Sequence, residues 1–243
     1  MSHLRRLVEQ AVADARERSA QPLPSPPALR PFPREGLIAE IKRASPSRGE
    51  INRALQPAAL ARAYERGGAA AVSVLTHRDF AGSLEDLRSA REAIQLPVLR
   101  KDFIVTEFQV REARAHGADA VLLIAAAAEA ALLRDLRILA RELGLAVLFE
   151  VHDARELDAA TLCQPDLLGV NARNLDTLEV HPDAFERIAP LARGIAPLVA
   201  ESGVKARADA MRYRRLGAAM LLVGEALSSA ADPESAVRDL VGA

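Results

Sequence analysis

The segment "AVLLIAAAAEAALLRDLRILARELGLAVLFEV" (residues 120–151) shows the unit from which most of the chain is built. An apolar run at 120–125 precedes an Ala-, Leu- and Arg-rich stretch in which apolar residues recur at helical spacing. Gly144 ends this stretch, as glycine often does at a helix C-terminus, and a second apolar run follows at 146–151. The segment therefore predicts a strand, a helix and a second strand, which pairs parallel to the first through a right-handed crossover.

The same unit recurs from residue 37 to the end of the chain. Its other apolar runs are "LIAEIK" (37–42), "AVSVLT" (71–76), "VLRKDF" (98–103), "LLGVNA" (167–172), "LVAES" (198–202) and "MLLVGE" (220–225). Eight strands, each followed by a helix, close naturally into a (β/α)8 (TIM) barrel. An open doubly wound sheet usually has fewer strands and often a glycine-rich phosphate turn after the first, where this chain has "RASPSRG". We therefore predict the barrel.

The first 36 residues have a different pattern. Apolar residues at helical spacing predict an amphipathic helix over about the first twenty positions. The six prolines of "QPLPSPPALRPFP" (21–33) then prevent both a helix and a central strand, which indicates a stiff connector. We expect residues 1–243 to form a single barrel domain, with residues 1–36 packing on it as an N-terminal helical extension.

The composition narrows the classes of function. The net charge of the 243 residues is −1, from 32 basic and 33 acidic side chains, which provides no electrostatic reason for a nucleic-acid or anionic-membrane partner. No apolar run approaches the length of a membrane span, and the N-terminus lacks the apolar core of a secretory signal. Cys163 is the sole cysteine, which suits a reducing compartment. We expect a cytoplasmic protein that binds a small molecule, as a monomer or a weak homodimer.

Lysine is rare in this chain. Only Lys42, Lys101 and Lys205 are lysines; every other basic residue is arginine. Arginine stays protonated at any ordinary pH, whereas a partly buried lysine can exchange its proton. Lys42 and Lys101 fall near the ends of predicted strands, which makes them candidates for proton transfer. We interpret Lys205 as a solvated residue in the first turn of the helix after strand seven.

Several predicted strands end on polar residues. In a barrel these ends form the mouth at which active sites lie, and the residues concerned are Glu40, Lys42, Lys101, Glu150, Asn171, Glu201 and Ser202. One charged residue at a strand end is usually a solvated boundary residue, but several at the same end indicate a site. Strand four stays apolar to its end and predicts an apolar wall, as a small-molecule pocket needs.

Two glycines point to a phosphate site. Gly203 and Gly224 follow strands seven and eight, where backbone N–H groups at helix starts often bind phosphate in this fold. The five histidines show no ligand spacing, and no cluster of acidic residues and histidines suggests a metal. We therefore predict a phosphorylated ligand and no metal site.

At this point the motifs resemble those of a known family. "IAEIKRASPSRG", "LPVLRKDFIV", "FEVHD", "GVNARNLDTLEV", "AESGV" and "LVGEAL" are similar, in this order, to those of indole-3-glycerol phosphate synthase. The resemblance implies a cofactor-free carboxy-lyase of tryptophan biosynthesis. Its reaction would be ring closure, decarboxylation and dehydration of 1-(2-carboxyphenylamino)-1-deoxyribulose 5-phosphate, with indole-3-glycerol phosphate, carbon dioxide and water as products.

The resemblance also implies a role for each matching residue. Lys101 would be the general acid and Glu150 the general base, while Lys42, positioned by Glu40, would hold the substrate anion and share in the acid work; the sequence does not divide this work between the two lysines. Contacts to substrate hydroxyls would come from Asn171 and Glu201, with Arg173 and Ser202 close by. The residues around the phosphate would be Ser45, Ser202, Gly203, Gly224 and Glu225. The aromatic ring would pack against Phe103, Leu122 and the N-terminal segment.

Two other interpretations remain open from the sequence. The chain could be another phosphate-binding barrel, such as a sugar-phosphate isomerase, although such enzymes more often use paired acids or a Cys–Asp pair. It could also be a catalytically silent barrel that only binds a phosphorylated ligand or another protein. The presence of Glu40, Lys42, Lys101 and Glu150 argues against both.

Overall fold

Eight parallel strands close into a barrel in the computed structural model, which describes residues 2–45, 49–52 and 54–243. The strands are β1 Gly36–Ile41, β2 Ala71–Leu75, β3 Val98–Lys101, β4 Ala120–Ile124, β5 Ala146–Val151, β6 Leu167–Asn171, β7 Leu198–Glu201 and β8 Met220–Val223. β1 pairs with both β2 and β8, which closes the barrel. The prediction of a (β/α)8 barrel is confirmed. Several predicted strands run one or two residues too far, because the chain turns there into the loops of the mouth.

Helices alternate with the strands. They are α1 His3–Arg18, α2 Pro57–Arg66, α3 Leu84–Ala93, α4 Glu107–Ala115, α5 Ala130–Glu142, α6 Leu157–Cys163, α7 Ala184–Ile188, α8 Arg207–Arg215, α9 Glu225–Ser228 and α10 Pro233–Val241. Short 3-10 turns span Arg78–Phe80, Ala125–Ala127 and Ala154–Glu156, and Ala44–Ser45 pairs antiparallel with Gly49–Glu50. Residues 46–48, part of the "SPSR" segment of the first motif, lie outside the described residues. None of the described helices is both long and apolar enough to span a membrane.

Alternation along the strands separates two apolar clusters. Outward-facing residues such as Val72 and Val121 pack against helix residues such as Leu133 and Leu136. Inward-facing residues form the second cluster, which includes Ile38, Leu99, Leu148 and Val199. Two positions further along the same four strands lie Glu40, Lys101, Glu150 and Glu201. Because side chains alternate with a period of two, these ionisable groups continue the inward series and meet at the mouth.

The N-terminal helix covers part of this mouth. Leu4 and Leu7 of α1 are buried and belong to the inner cluster. The backbone N–H of Leu4 donates to Asp176 Oδ1 at 3.0 Å, and Arg18 Nε at the other end of α1 donates to Glu112 Oε1 at 2.6 Å. The predicted N-terminal helix is therefore present and contacts loops of the barrel mouth through its apolar face.

The proline-rich connector runs to the opposite end of the barrel. Residues 20–35 form no helix or strand. The backbone N–H of Arg30 donates to Asp119 Oδ1 at 2.7 Å, and Asp119 Oδ2 also accepts from the backbone of Val98 at 2.9 Å. Because Val98 is the first residue of β3 and Asp119 directly precedes β4, the connector passes the N-terminal ends of the strands before it enters β1.

Three consecutive charges in "RKD" (100–102) point in different directions. Arg100 faces outward and is fully buried between the sheet and α4, where its guanidinium donates to Asp102 Oδ2 at 3.1 Å and Glu112 Oε2 at 3.0 Å. Asp102 Oδ1 in turn accepts from the backbone of Phe103 at 2.9 Å. Lys101, between them, faces inward. Arg100 and Asp102 thus form a buried network that holds the end of β3, while Lys101 enters the barrel.

Candidate active site

A cavity of about 930 Å³ opens at the C-terminal ends of the strands. The residues predicted from the sequence all line it: Glu40, Lys42, Ser45, Lys101, Phe103, Leu122, Glu150, Asn171, Arg173, Glu201, Ser202, Gly203, Gly224 and Glu225. The structure therefore brings the whole predicted set together.

Lys101 lies between two buried carboxylates. Its Nζ donates to Glu150 Oε2 at 2.9 Å and to Glu201 Oε2 at 3.0 Å. The carboxyl side chains are 1% and 2% exposed, so both contacts are shielded from water. An unpaired buried charge is costly, so a charged Lys101 needs an ionised partner at close range, and its other buried contact can be a neutral hydrogen bond.

The three groups do not titrate alike. Burial lowers the pKa of Lys101, but Glu150, Glu201 and Glu40 outweigh this effect, and the pKa is raised. Burial and the neighbouring Glu150 charge raise the pKa of Glu201 to about 8. For Glu150, burial is outweighed by Lys101 and His152, which hold its pKa well below the usual range. At neutral pH Lys101 is therefore charged, Glu150 is ionised, and Glu201 holds a proton.

Lys42 has the opposite character to Lys101. Its Nζ is 3.9 Å from Glu40 Oε1 and 5.6 Å from the centre of the Phe80 ring. Burial lowers its pKa, the charges of Lys101 and Arg173 lower it further, and Glu40 only partly opposes them. Of the two lysines that the sequence singled out, Lys42 is thus the one that gives up its proton more easily.

Two glycines make room for the buried carboxylates. A Cβ atom on Gly169 of β6 would overlap Glu201 Oε1, and one on Gly224 would overlap Glu40 Oε1. Neither glycine has a positive φ, so close approach, not backbone conformation, requires them. Gly169 was not predicted as a site residue; its signal in the sequence was a glycine inside an otherwise apolar strand.

The segments after β7 and β8, where a phosphate site is predicted, differ in detail from the prediction. Ser202 and Gly203 adopt φ values of +64° and +82°, and Ser202 Oγ donates to Asn171 Oδ1 at 2.8 Å. α8 begins only at Arg207, so Gly203 lies in a loop and not at a helix start. Gly224 does directly precede a helix, α9.

The predicted position of Lys205 in the first turn of a helix was wrong. It is exposed and lies two residues before α8, not in the first turn of that helix. It also lines the cavity, near the loop after β7. All three lysines of the chain therefore face the mouth of the barrel.

The opposite wall of the cavity is apolar, as the sequence of strand four predicts. Leu122 and Ile124 of β4 line it together with Leu7 of α1. Phe80 and Phe103 complete it, with ring centres 6.4 Å apart. Phe80 was missed in the sequence because it lies in a loop turn outside the strand pattern.

His152 was also missed, because the histidines were judged only by their spacing as metal ligands. Its Nε2 lies 3.1 Å from Glu150 Oε1 in an ion-pair contact that is not an aligned hydrogen bond. The signal was its position two residues after Glu150, which continues the inward series of β5. No group of three or more histidine, cysteine or acidic side chains in the described part of the chain is arranged to hold a metal ion.

A family model described as indole-3-glycerol phosphate synthase matches residues 7–240. The chain belongs to the indole-3-glycerol phosphate synthase family. The indole-3-glycerol phosphate synthase of Mycolicibacterium gilvum is 53% identical over 228 residues, which cover 93% of this chain and 84% of that protein. The one from a Nocardioides species is 55% identical over 207 residues, covering 85% and 80% of the two chains. The family resemblance of the motifs is confirmed.

Solved structures that resemble this member of the indole-3-glycerol phosphate synthase family share its fold. A 3-hexulose-6-phosphate synthase superimposes with a TM-score of 0.66 at 19% identity, covering 85% of this chain and 98% of that one. A thiamine phosphate pyrophosphorylase from Pyrococcus furiosus gives 0.65 at 19% identity, with 85% and 94% covered. At this level of identity the likeness extends to the barrel alone.

Proposed function

We propose that the protein is a carboxy-lyase that converts 1-(2-carboxyphenylamino)-1-deoxyribulose 5-phosphate to indole-3-glycerol phosphate, carbon dioxide and water. The observation that carries the proposal is the Lys101 side chain, hydrogen-bonded to Glu150 and Glu201 in a cavity that also has an apolar wall. An acid and a base are within reach of one another there, as ring closure and dehydration require. We also infer a cytoplasmic protein, as the single cysteine and balanced charge suggest.

The distribution of charge over the cavity supports one orientation of the substrate. The anthranilate ring fits the apolar wall formed by Phe80, Phe103 and Leu122. Lys42, close to Phe80 and Glu40, is in position to bind the ring carboxylate. The phosphate would lie on the other side, beside Ser45, Ser202, Gly203, Gly224 and Glu225.

Lys101 would act as the general acid. As the ring carbon attacks the ribulose carbonyl, the developing oxyanion takes a proton from the Lys101 ammonium. Decarboxylation then restores the aromatic ring without a further proton transfer. A second proton from Lys101 converts the hydroxyl into water as it leaves. The raised pKa keeps Lys101 protonated before the reaction begins.

Glu150 would act as the general base of the dehydration. It removes the C–H proton as the pyrrole double bond forms, and it can return this proton to Lys101 across their 2.9 Å contact. Glu201 holds a proton at neutral pH, so it can donate a hydrogen bond to a substrate hydroxyl, together with Asn171. Two carboxyl groups whose pKa values are pushed apart in this way can serve two different tasks.

The function can be tested directly with purified protein and the ribulotide substrate. The chain contains no tryptophan, so indole fluorescence that develops during the reaction comes only from the product. We expect its emission to rise with time and enzyme concentration. Absence of product at high enzyme concentration would contradict the proposal. The alternative, a sugar-phosphate isomerase, would interconvert an aldose phosphate and a ketose phosphate. The same protein sample can be assayed for this reaction.

Inorganic phosphate is expected to inhibit this activity competitively with the substrate. Ser45, Ser202, Gly203 and Gly224 line the same cavity as Lys101, so phosphate would occupy part of the substrate site. The measurement is the apparent KM and kcat at increasing phosphate concentration and constant ionic strength, with sodium chloride as the control. A fall in kcat at unchanged KM would contradict this location of the phosphate.

Gly169→Ala is expected to lower kcat/KM by about 10–100-fold. The new methyl group would overlap Glu201 Oε1, and the carboxyl group would have to move away from Lys101. A displacement of about 1 Å in a catalytic site can cost about a hundredfold. The measurement is steady-state kinetics, with circular dichroism to verify folding.

Gly242→Ala is the matched control for this variant. Gly242 lies at the C-terminus of α10, where a Cβ would meet the end of the flexible Arg207 side chain at 3.1 Å and the backbone oxygen of Arg238 at 3.4 Å, an ordinary van der Waals contact. We expect its kcat/KM to equal that of the wild type. If both alanine variants were equally active, Gly169 would not position Glu201.

A further inference from the structure

His152 connects the buried Glu150 to the protein surface. Its Nε2 is 3.1 Å from Glu150 Oε1, and its Nδ1 is 3.4 Å from Glu156 Oε2. The Glu156 carboxylate is held in place because it accepts a hydrogen bond from the backbone N–H of His152 at 2.6 Å. The side chains of His152 and Glu156 are 14% and 21% exposed, whereas that of Glu150 is 1% exposed. Lys101, Glu150, His152 and Glu156 thus form a continuous chain of ionisable groups from the cavity to solvent.

The neighbouring strands add no other ionisable group to this chain. On β4, Ile124 is opposite Glu150, and the Ala125–Ala127 turn follows. On β6, Gly169 is opposite Glu150 and Val170 is opposite Val151. The charged groups that act on His152 are therefore the Glu150 and Glu156 carboxylates, with Lys101 and Glu201 behind Glu150.

This route lies outside the substrate cavity. Glu150 lines the cavity, but His152 and Glu156 do not. A substrate that fills the mouth and excludes water from Lys101 would leave the outer side of His152 in contact with solvent. The path therefore stays open during turnover.

The reaction needs such a path, given the proposed function. The substrate carboxylate leaves as neutral CO2, and the hydroxyl leaves as water. Two protons are delivered, one to the carbonyl oxygen during ring closure and one to the departing hydroxyl. One proton is recovered from carbon when the indole double bond forms. Each turnover therefore takes up one proton from solvent, which has to reach Lys101 while the substrate covers the site.

We propose that His152 supplies this proton, passing it from solvent and Glu156 to Glu150 and from there to Lys101. The imidazolium gives its Nε2 proton to Glu150 Oε1 and is left as neutral imidazole, with a proton on Nδ1 and a lone pair on Nε2. A turn of the ring then brings Nε2 to the solvent side, where it takes up a new proton, so no charge accumulates. His152 acts through Glu150 and is a positioning residue, not one that touches the substrate.

In the resting site the proton stays on His152, because Lys101 holds the pKa of Glu150 low. Once Lys101 has given its proton to the substrate, Glu150 loses this cationic partner, its pKa rises, and it can accept the proton of His152. Burial disfavours the charged imidazole, but the carboxylates of Glu150 and Glu156 outweigh burial and raise the pKa of His152 to about 10. His152 is therefore protonated at neutral pH, before the reaction consumes a proton. Its positive charge also helps to keep Glu150 ionised, which a general base requires.

The test compares His152→Gln with His116→Gln in the full-length enzyme. Glutamine keeps hydrogen-bonding groups but cannot carry a proton at neutral pH. His116 caps α4 and does not line the cavity, so its variant controls for the substitution. We expect kcat of His152→Gln to fall by at least about tenfold with little change in KM, against about 10²–10⁴-fold for a group that transfers protons to the substrate itself.

Two further readouts separate proton supply from a merely structural role. Imidazole added to the assay is expected to raise the kcat of His152→Gln in a concentration-dependent way and to leave the kcat of His116→Gln unchanged.

The second readout is the pH profile. In His152→Gln, the loss of a positive charge beside Glu150 raises the pKa of that carboxyl group. The acidic limb of the kcat/KM–pH profile should therefore move to higher pH.

The possible outcomes are distinct. A His152→Gln variant with the kcat and pH profile of His116→Gln overturns the inference but leaves the proposed function intact. A slow variant that imidazole does not restore and whose acidic limb is unmoved overturns it as well. A wild-type enzyme without turnover would contradict the proposed function and this inference together. If His152→Gln does not fold, Glu156→Gln serves instead; it keeps an acceptor for the His152 backbone, and we expect a lower kcat that imidazole restores.

Discussion

Lys101→Arg is expected to lower kcat by at least about a hundredfold, the lower range for loss of general acid–base catalysis. Arginine keeps the positive charge and can still pair with Glu150 and Glu201, so substrate binding should largely survive. It cannot release its proton to the carbonyl oxygen or the leaving hydroxyl at neutral pH. The measurements are kcat from product fluorescence and the Kd of indole-3-glycerol phosphate from calorimetry.

Lys42→Arg is the matched comparison, since it is the same substitution at the other buried lysine. If Lys42 mainly holds the ring carboxylate, a guanidinium can replace it, and kcat should fall much less than in Lys101→Arg. Near-normal turnover of Lys101→Arg would rule out Lys101 as the acid. A larger loss in Lys42→Arg would assign the acid role to Lys42, whose lowered pKa makes it the alternative donor.

Arg100→Met is expected to lower the free energy of unfolding by about 3–5 kcal/mol, the range for removing one partner of a buried ion pair. Arg100 is fully buried and donates to Asp102 and Glu112, which are buried as well. Methionine fills similar space but leaves these two carboxylates with less compensation. Urea unfolding followed by circular dichroism measures the change.

Arg88→Met controls for loss of an arginine on the neighbouring helix α3. Arg88 Nη2 pairs with Glu85 Oε2 at 2.7 Å, but both side chains are largely exposed. Exposed pairs contribute about 0–1 kcal/mol, so this variant should unfold nearly as the wild type does. Equal free energies for the two variants would mean that the Arg100 network does not stabilise the fold.

The positions of the strands follow from local patterns. The eight apolar runs are strands because short β-branched and leucine-rich segments alternate with helical ones, and each signal is contained within about ten to fifteen residues. The candidate site residues at the mouth could also be predicted from the sequence, because a barrel brings the C-terminal ends of all its strands together. The ends of β3 and β8 were predicted too long, because the polar loop residues continue the pattern of the strands.

Other features were not visible in the sequence. The contact of Phe80 with Lys42 and the space that Gly169 leaves for Glu201 join segments that are more than thirty residues apart. His152 was dismissed because spacing was compared with metal sites only. Lys205 was assigned to a helix that begins two residues later.

The order of residues along the chain determined the barrel, the inward series of side chains and the family, because periodicity and motifs are local properties. The pKa values of Lys101, Glu150 and Glu201 depend on the closed barrel, which brings these side chains together. Lys101 meets carboxylates 49 and 100 positions away, and their pKa values depend on burial and on charges a few ångströms apart. A pKa of this kind is a property of distances in space, which no stretch of sequence contains.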